Sequence, residues 1–211
     1  MTRANARTER RQRHQELSRT HLLDAAEEVF GRRGFHEATL KQVAELAEFS
    51  VGSVYSFFES KDDLFRQIFD RRGGEFMPGV REIVGDPGLD PREQLHALVD
   101  FEVGFFRAHP RFGRLFLRYS TATPLSSAAG VDDVMRKRYE EAMRLQADVF
   151  DRGRRAGLLR AGDPSVLARL FSGLVSAFQS VDPAVVSDDP DAVPLSLDEL
   201  HAIVTGAFEV G

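Results

Sequence analysis

The sequence predicts an all-α protein of about nine helices. Three observations carry this. Apolar residues recur at three- and four-residue spacing along most of the chain. Helix caps and Pro/Gly breaks punctuate those runs. Alternating Val/Ile/Thr-rich runs bounded by hairpin turns are absent from the sequence.

Leu22, Ala25, Ala26, Val29 and Phe30 mark a first helix over 18–32, stopped by Gly34. Thr39-Leu40-Lys41-Gln42 reads as a capping box, with the Thr39 hydroxyl accepting an early N–H and Gln42 reaching back; it opens a short helix over 40–47. Ser50 caps a second short helix over 51–57. Ser60-Lys61-Asp62-Asp63 caps a longer one whose apolar side is Leu64, Phe65, Ile68 and Phe69, with Gly73-Gly74 and Pro78 expected to weaken or end it. Asp90-Pro91-Arg92-Glu93 starts a helix running to Ala108, before His109-Pro110. Phe112, Leu115, Phe116 and Tyr119 mark the next. Residues 121–130 read as a small-residue loop, and a long helix follows over 131–156. Asp163-Pro164 opens a helix with a wide apolar face. Residues 181–195, with Pro183, Pro190 and Pro194, read as a loop, and Ser196-Leu197-Asp198-Glu199 caps a last helix ending near Phe208.

The 211 residues are 42% hydrophobic and 29% charged, ordinary for a soluble globular chain. With no cysteine, a disulfide scaffold and a cysteine-ligated metal site are excluded. No apolar run approaches the roughly 18 residues of a membrane span, and the polar N-terminus is no secretory signal, so a cytoplasmic protein without membrane contact is expected. Net charge is −5, unevenly placed. Residues 1–20 hold six arginines against two glutamates, and residues 1–72 hold 13 basic against 12 acidic groups. A basic head thus precedes an acidic body. On charge alone, the head is either a solvated tail or an arm that neutralises phosphates.

Two short helices after a longer one form a helix-turn-helix pattern. The surrounding residues make it specific: Ala25-Ala26, Phe30, Gly34-Phe35, Thr39, Val43-Ala44, Ala47, Ser50, Gly52-Ser53, Tyr55, Phe58, Lys61 and Leu64 fall in one register over about 45 residues. This stretch resembles the N-terminal DNA-binding domain of the tetracycline-repressor-like (TetR/AcrR) family of transcriptional regulators. The resemblance implies a three-helix DNA-binding domain followed by a helical ligand-binding and dimerisation domain. The expected boundaries are a basic arm at 1–17, the DNA-binding domain at 18–63, and the second domain at 64–211. It further implies base or phosphate contacts from Ser50, Val51, Gly52, Ser53, Tyr55 and Ser56, and phosphate contacts from Thr39 and Lys61. Arg7, Arg10 and Arg11, with Arg13, then become an arm able to follow phosphates or enter a minor groove.

The turn departs from the family pattern. Glu48 stands where a glycine is usual and has to adopt a left-handed conformation, at a cost of about 1 kcal/mol. Phe49 replaces a smaller aliphatic. Val51 stands where a lysine is often seen; it removes a phosphate contact and can touch a thymine methyl instead.

Resemblance weakens after residue 72, so the second domain is read from its own residues. One stripe of the 91–108 helix carries Leu95, Leu98, Glu102, Phe105 and Phe106, and one stripe of the 131–156 helix carries Met135, Tyr139, Met143, Gln146 and Phe150. With Phe116 and Tyr119 they suit either a packed core or an apolar pocket in which Glu102 and Gln146 are the polar points. Seventeen Phe and no Trp favour an apolar, aromatic or acyl-like ligand. The 164–180 and 196–208 helices resemble the family's pair that forms a four-helix bundle with its copy in a dimer; that resemblance, with an apolar face wider than one stripe, makes Leu167, Leu170, Gly173, Leu174, Ala177, Phe178 and Ile203 the expected dimer face. A twofold dimer matches a palindromic operator.

The expected function is a homodimeric, ligand-responsive repressor, with coupling through the helix that starts at Lys61 and a hinge at Gly73-Gly74. No metal, cofactor or enzymatic activity is expected: the six histidines form no HExxH-type pair and no phosphate-cradling Gly loop is present. The alternatives are a DNA-binding protein without an effector and a helical ligand carrier.

Overall fold

The computed structural model describes residues 3–120, 133–189 and 191–210. The 121–130 loop and Pro190 lie outside the described residues, as do the side chains of Arg7 and Met135. The chain divides into two compact units, Met1–Phe69 and Asp70–Gly211. The described residues form ten helices and no strand; one isolated bridge joins Leu159 and Glu209.

The first unit holds α1 (Arg3–Glu37), α2 (Leu40–Leu46), α3 (Val51–Phe57) and the start of α4 (Lys61–Gly85). Residues 3–17 are the first half of α1 rather than a separate arm. Residues 3–30 contain neither Gly nor Pro, so nothing stops the helix from propagating backward from its buried part. Gly34, at φ 77° and ψ 166°, turns the chain out of the helix. Leu22, Ala26, Phe30, Val43, Ala44, Val54, Phe58, Leu64 and Ile68 form the core. Phe30 and Phe35 both meet Phe65 edge-on, with ring centroids 5.6 and 4.9 Å away.

The turn between α2 and α3 closes as a Schellman motif. The Phe49 N–H donates to Ala44 O at 2.8 Å and the Glu48 N–H to Glu45 O at 3.3 Å. Glu48 takes φ 58°, as its place in the sequence requires. The Phe49 ring meets His21 of α1 edge-on at 6.0 Å, so the larger aromatic has a partner.

The second unit holds the rest of α4, then α5 (Pro91–Ala108), α6 (Pro110–Ser120), α7 (Asp133–Arg155), α8 (Pro164–Gln179), α9 (Pro183–Val186) and α10 (Asp198–Phe208). α4 runs unbroken through Gly73, Gly74 and Pro78, contrary to the expected break. Pro78 cannot bond the Gly74 carbonyl, but both residues are exposed, so that carbonyl is open to solvent. Gly73 allows close approach of a neighbouring side chain. A Cβ there would lie 2.9 Å from Arg138 Nη1, which donates to Asp70 O at 2.8 Å.

The one-turn α9 sits inside the expected 181–195 loop. Asp182 organises it from a fully buried position. Its carboxylate accepts the Ala184 N–H at 3.2 Å, the Leu195 N–H at 3.1 Å and Arg107 Nε at 2.7 Å. α5 and α10 are joined by a chain of side chains. Glu209 Oε1 is 2.8 Å from His96 Nε2, His96 Nδ1 is 2.7 Å from His201 Nδ1, and His201 Nε2 is 2.8 Å from Asp100 Oδ1. The core of the unit is Val80, Leu95, Leu98, Val99, Val103, Val149, Phe150, Phe171, Val175, Leu200, Val204 and Phe208.

Candidate DNA-binding face and ligand-binding core

Thr39 and Gln42 form the expected capping box. The Gln42 N–H donates to Thr39 Oγ1 at 3.3 Å and the Thr39 N–H to Gln42 Oε1 at 3.0 Å. Ser50 caps α3: its Oγ accepts the Ser53 N–H at 3.0 Å and lies 2.7 Å from Ser53 Oγ. Ser56 Oγ donates to Ser53 O at 2.6 Å. Val54 is buried and anchors the helix, leaving Val51 and Tyr55 outward, 37% and 57% exposed. They are one turn apart, with Gly52 beside them. A Cβ on Gly52 would meet only Ser50 Oγ, at 3.8 Å. The protein's own packing therefore does not require glycine there.

Lys61 stands at the corner of α1 and α4. Its ammonium donates to Phe35 O at 2.8 Å and Ala38 O at 3.1 Å, and lies 4.4 Å from the Phe35 ring centroid. Two of its three hydrogens hold the turn after α1 in place. Arg10 and Arg11 are exposed on α1. Arg19, which sequence reasoning passed over, donates to Phe57 O at 3.3 Å and to Gln67 Oε1, and lies over the Phe58 ring. It thereby braces α3 and α4 against α1.

In the second unit the expected pocket residues separate into three places. Glu102 and Gln146 meet in the interior, where Gln146 Nε2 donates to Glu102 Oε1 at 2.8 Å. Burial pushes the Glu102 carboxyl up to about 8, against the smaller opposing effect of the Gln146 bond. The acid is thus held in its neutral, proton-donating form at pH 7. Gln179, missed from sequence, joins them by donating to Glu102 O at 3.3 Å. It follows Val175 by one turn and interrupts the apolar face of α8, the signal that had marked Gln146. Gln146 Oε1 is buried without a hydrogen-bond partner.

Phe105, Phe106 and Phe116 belong to a connected aromatic wall with Phe76, Phe101 and Phe112, centroids 5.1–6.2 Å apart. Tyr119 is half-buried, one turn beyond Leu115 on α6. Tyr139 and Met143, both half-buried, instead line an open groove with Arg144, Asp148, Asp163 and Arg169. Phe150 is a core residue, fully buried edge-on against Phe171 and Phe208. The helical stripe read from sequence was wider than the face it implied.

The expected dimer face also divides. Leu167 turns into the core. Leu170 and Ile203 are 58% and 52% exposed, and Val166 is 52% exposed. Gly173 and Ala177 are exposed, while Leu174 and Phe178 are half-buried. Val166, Leu170, Gly173 and Ala177 form one stripe along α8, left exposed by the described residues. Among the described residues no group of three or more His, Asp or Glu can hold a metal, and no helix is long and apolar enough to cross a membrane.

Residues 22–68 match the sequence profile of the family described as bacterial regulatory proteins, tetR family. The HTH-type transcriptional repressor KstR2 of Rhodococcus jostii is 40% identical over 81 residues, covering 38% of this chain and 39% of that one. The fold is similar to that of the ketosteroid transcriptional regulator KstR2 of Mycobacterium tuberculosis, with TM-score 0.75, 21% identity, and 92% and 95% of the two chains covered. It is also similar to AibR in complex with isovaleryl coenzyme A and operator DNA, with TM-score 0.71, 19% identity, and 90% and 96% covered. The profile match spans the capped helix pair, its supporting α1 and the start of α4, so residues 22–68 are similar to the helix-turn-helix domain of the tetR family of bacterial regulatory proteins.

Proposed function

We propose that this regulator is a homodimeric repressor that holds a palindromic operator and releases it when a small ligand binds the second unit. The observation that carries the DNA-binding half is the outward face of α3: Val51, Gly52 and Tyr55 are presented on a helix whose caps and core are otherwise satisfied. Exposed Arg10 and Arg11 on α1 add positive charge for phosphates, and the third hydrogen of Lys61 is available to another. The uncovered stripe of α8, with Ile203 of α10, is the surface we assign to the second subunit. Twofold pairing would present two copies of α3 to successive major grooves.

For the effector we propose an apolar ligand with a hydrogen-bonding end. The aromatic wall from Phe76 to Phe116 offers it apolar contact, and Glu102 with Gln146 offers one donor and one acceptor. That one fold neighbour carries isovaleryl coenzyme A, and another is a ketosteroid regulator, supports this class. The test is operator selection from random duplexes, followed by displacement with acyl and steroid ligands. Equal operator affinity with and without a bound ligand would refute ligand release.

A further inference from the structure

Between Ser50 and Phe58 the chain has no arginine, lysine, asparagine, glutamine or carboxylate. Those are the side chains that pair with the hydrogen-bonding edges of guanine, adenine and cytosine in the major groove. The three serine hydroxyls are engaged within the helix, which leaves the Tyr55 phenol as the outward hydroxyl. Ser50 Oγ serves the Ser53 N–H at 3.0 Å and Ser53 Oγ at 2.7 Å, and Ser56 Oγ donates to Ser53 O at 2.6 Å. The outward face thus consists of the Val51 isopropyl group, the bare backbone of Gly52 and the Tyr55 ring.

We propose that α3 reads thymine C5-methyl groups by apolar contact through Val51, with the Tyr55 ring flanking it. The inference rests on the DNA-binding reading above and names what that face selects. Thymine alone among the four bases presents a methyl in the major groove. An isopropyl group pressed on that methyl buries apolar surface on both sides. Pressed on purine N7 it strips water from an acceptor and gives nothing in return. Cytosine, with hydrogen at the same carbon, leaves a gap. Each half-site therefore carries a thymine opposite Val51, repeated by the twofold axis.

The experiment uses the full-length protein and an operator selected from random duplexes. Each thymine of a half-site is replaced singly by deoxyuridine, which keeps every hydrogen bond and loses only the methyl. Binding of the wild type and of Val51→Ala is measured by fluorescence anisotropy at fixed salt. At one position per half-site, deoxyuridine should weaken the wild type about fourfold, the worth of one buried methylene. Val51→Ala should bind the thymine operator more weakly and discriminate less between the two operators than the wild type does. Val51 is exposed and alanine favours helix, so the variant should fold, which its melting curve checks. Thymine methyls that can all be removed without loss would overturn the proposal, as would a Val51→Ala variant that keeps the wild-type discrimination. Selection that yields no preferred duplex would instead overturn the DNA-binding reading itself.

Discussion

Gly52→Ala separates stability from function. Glycine inside a helix costs about 0.5–1 kcal/mol relative to alanine, chiefly through the freedom of the unfolded chain. Here φ is not positive, and the added methyl would meet only Ser50 Oγ at 3.8 Å, an ordinary van der Waals distance. Neither strain nor overlap offsets the gain. The variant should therefore be more stable by about 0.5–1 kcal/mol, raising Tm by about 1–4 °C for a chain of this size. On the proposed DNA-binding reading, operator affinity should move the other way, by about tenfold, because the methyl would fill the space we assign to the approach of duplex backbone. Thermal unfolding and a binding isotherm on one preparation decide the matter. A more stable variant with unchanged operator affinity would show that Gly52 does not face the duplex, and a less stable one would show that the space around it is misjudged.

Glu48→Gly should stabilise the chain by about 1 kcal/mol, since φ 58° is strained for glutamate and open to glycine; the midpoint of chemical unfolding reads this out. Lys61→Met should lower stability by about 1–2 kcal/mol, because the Phe35 and Ala38 carbonyls lose a charged donor, and should reduce the salt slope of operator binding by about one if its third hydrogen meets a phosphate. Glu102 binds its proton more tightly folded than unfolded, so its contribution to stability is whole below its ordinary value of 4.5 and is lost as pH rises through about 8. Chemical unfolding at several pH values should show stability falling across that window, and Glu102→Gln should flatten the fall. Leu170→Arg or Ile203→Arg should dissociate the dimer, measured by sedimentation, and weaken operator binding, while leaving a folded chain, because both side chains are exposed.

The first unit was legible where local chemistry decides structure. Thr39 with Gln42, Ser50 with Ser53, and Ser60 with Asp63 are caps made within three residues, so spacing alone finds them. Glu48 was legible through the family resemblance, which puts a glycine at its position in the turn. The N-terminal half of α1 was not, because Arg-rich composition argues for solvent and cannot say whether a neighbouring helix will propagate into it. Pro78 was misread because the Gly74 carbonyl that it leaves without a helical partner is at the exposed surface, open to solvent, where the helix can bend past the ring. In the second unit the helices were legible but their facing was not. A stripe at three- and four-residue spacing spans a wide arc. Which edge of it meets which neighbour is set by tertiary packing: Gln146 turned inward, Tyr139 and Met143 turned to a groove, and Phe150 turned to the core.

The same packing bears on how mutations at the DNA-binding face are to be interpreted. Thr39, Ser50 and Lys61 all hold the fold by hydrogen bonds of their own, and Ser53 and Ser56 bond within α3. Their replacement disturbs a cap or a corner before it disturbs any contact with DNA, and the lost affinity mixes the two effects. A cap alone is worth about 1 kcal/mol, which is of the same size as a phosphate contact. Val51 and Gly52 have no polar side-chain atom to serve the fold, and α3 is anchored from its other side by buried Val54 and Phe58. Loss of binding on changing Val51 or Gly52, with melting unchanged or raised, therefore reports on the duplex directly. Affinity losses at the serines and at Lys61 acquire meaning only after the stability of each variant has been subtracted.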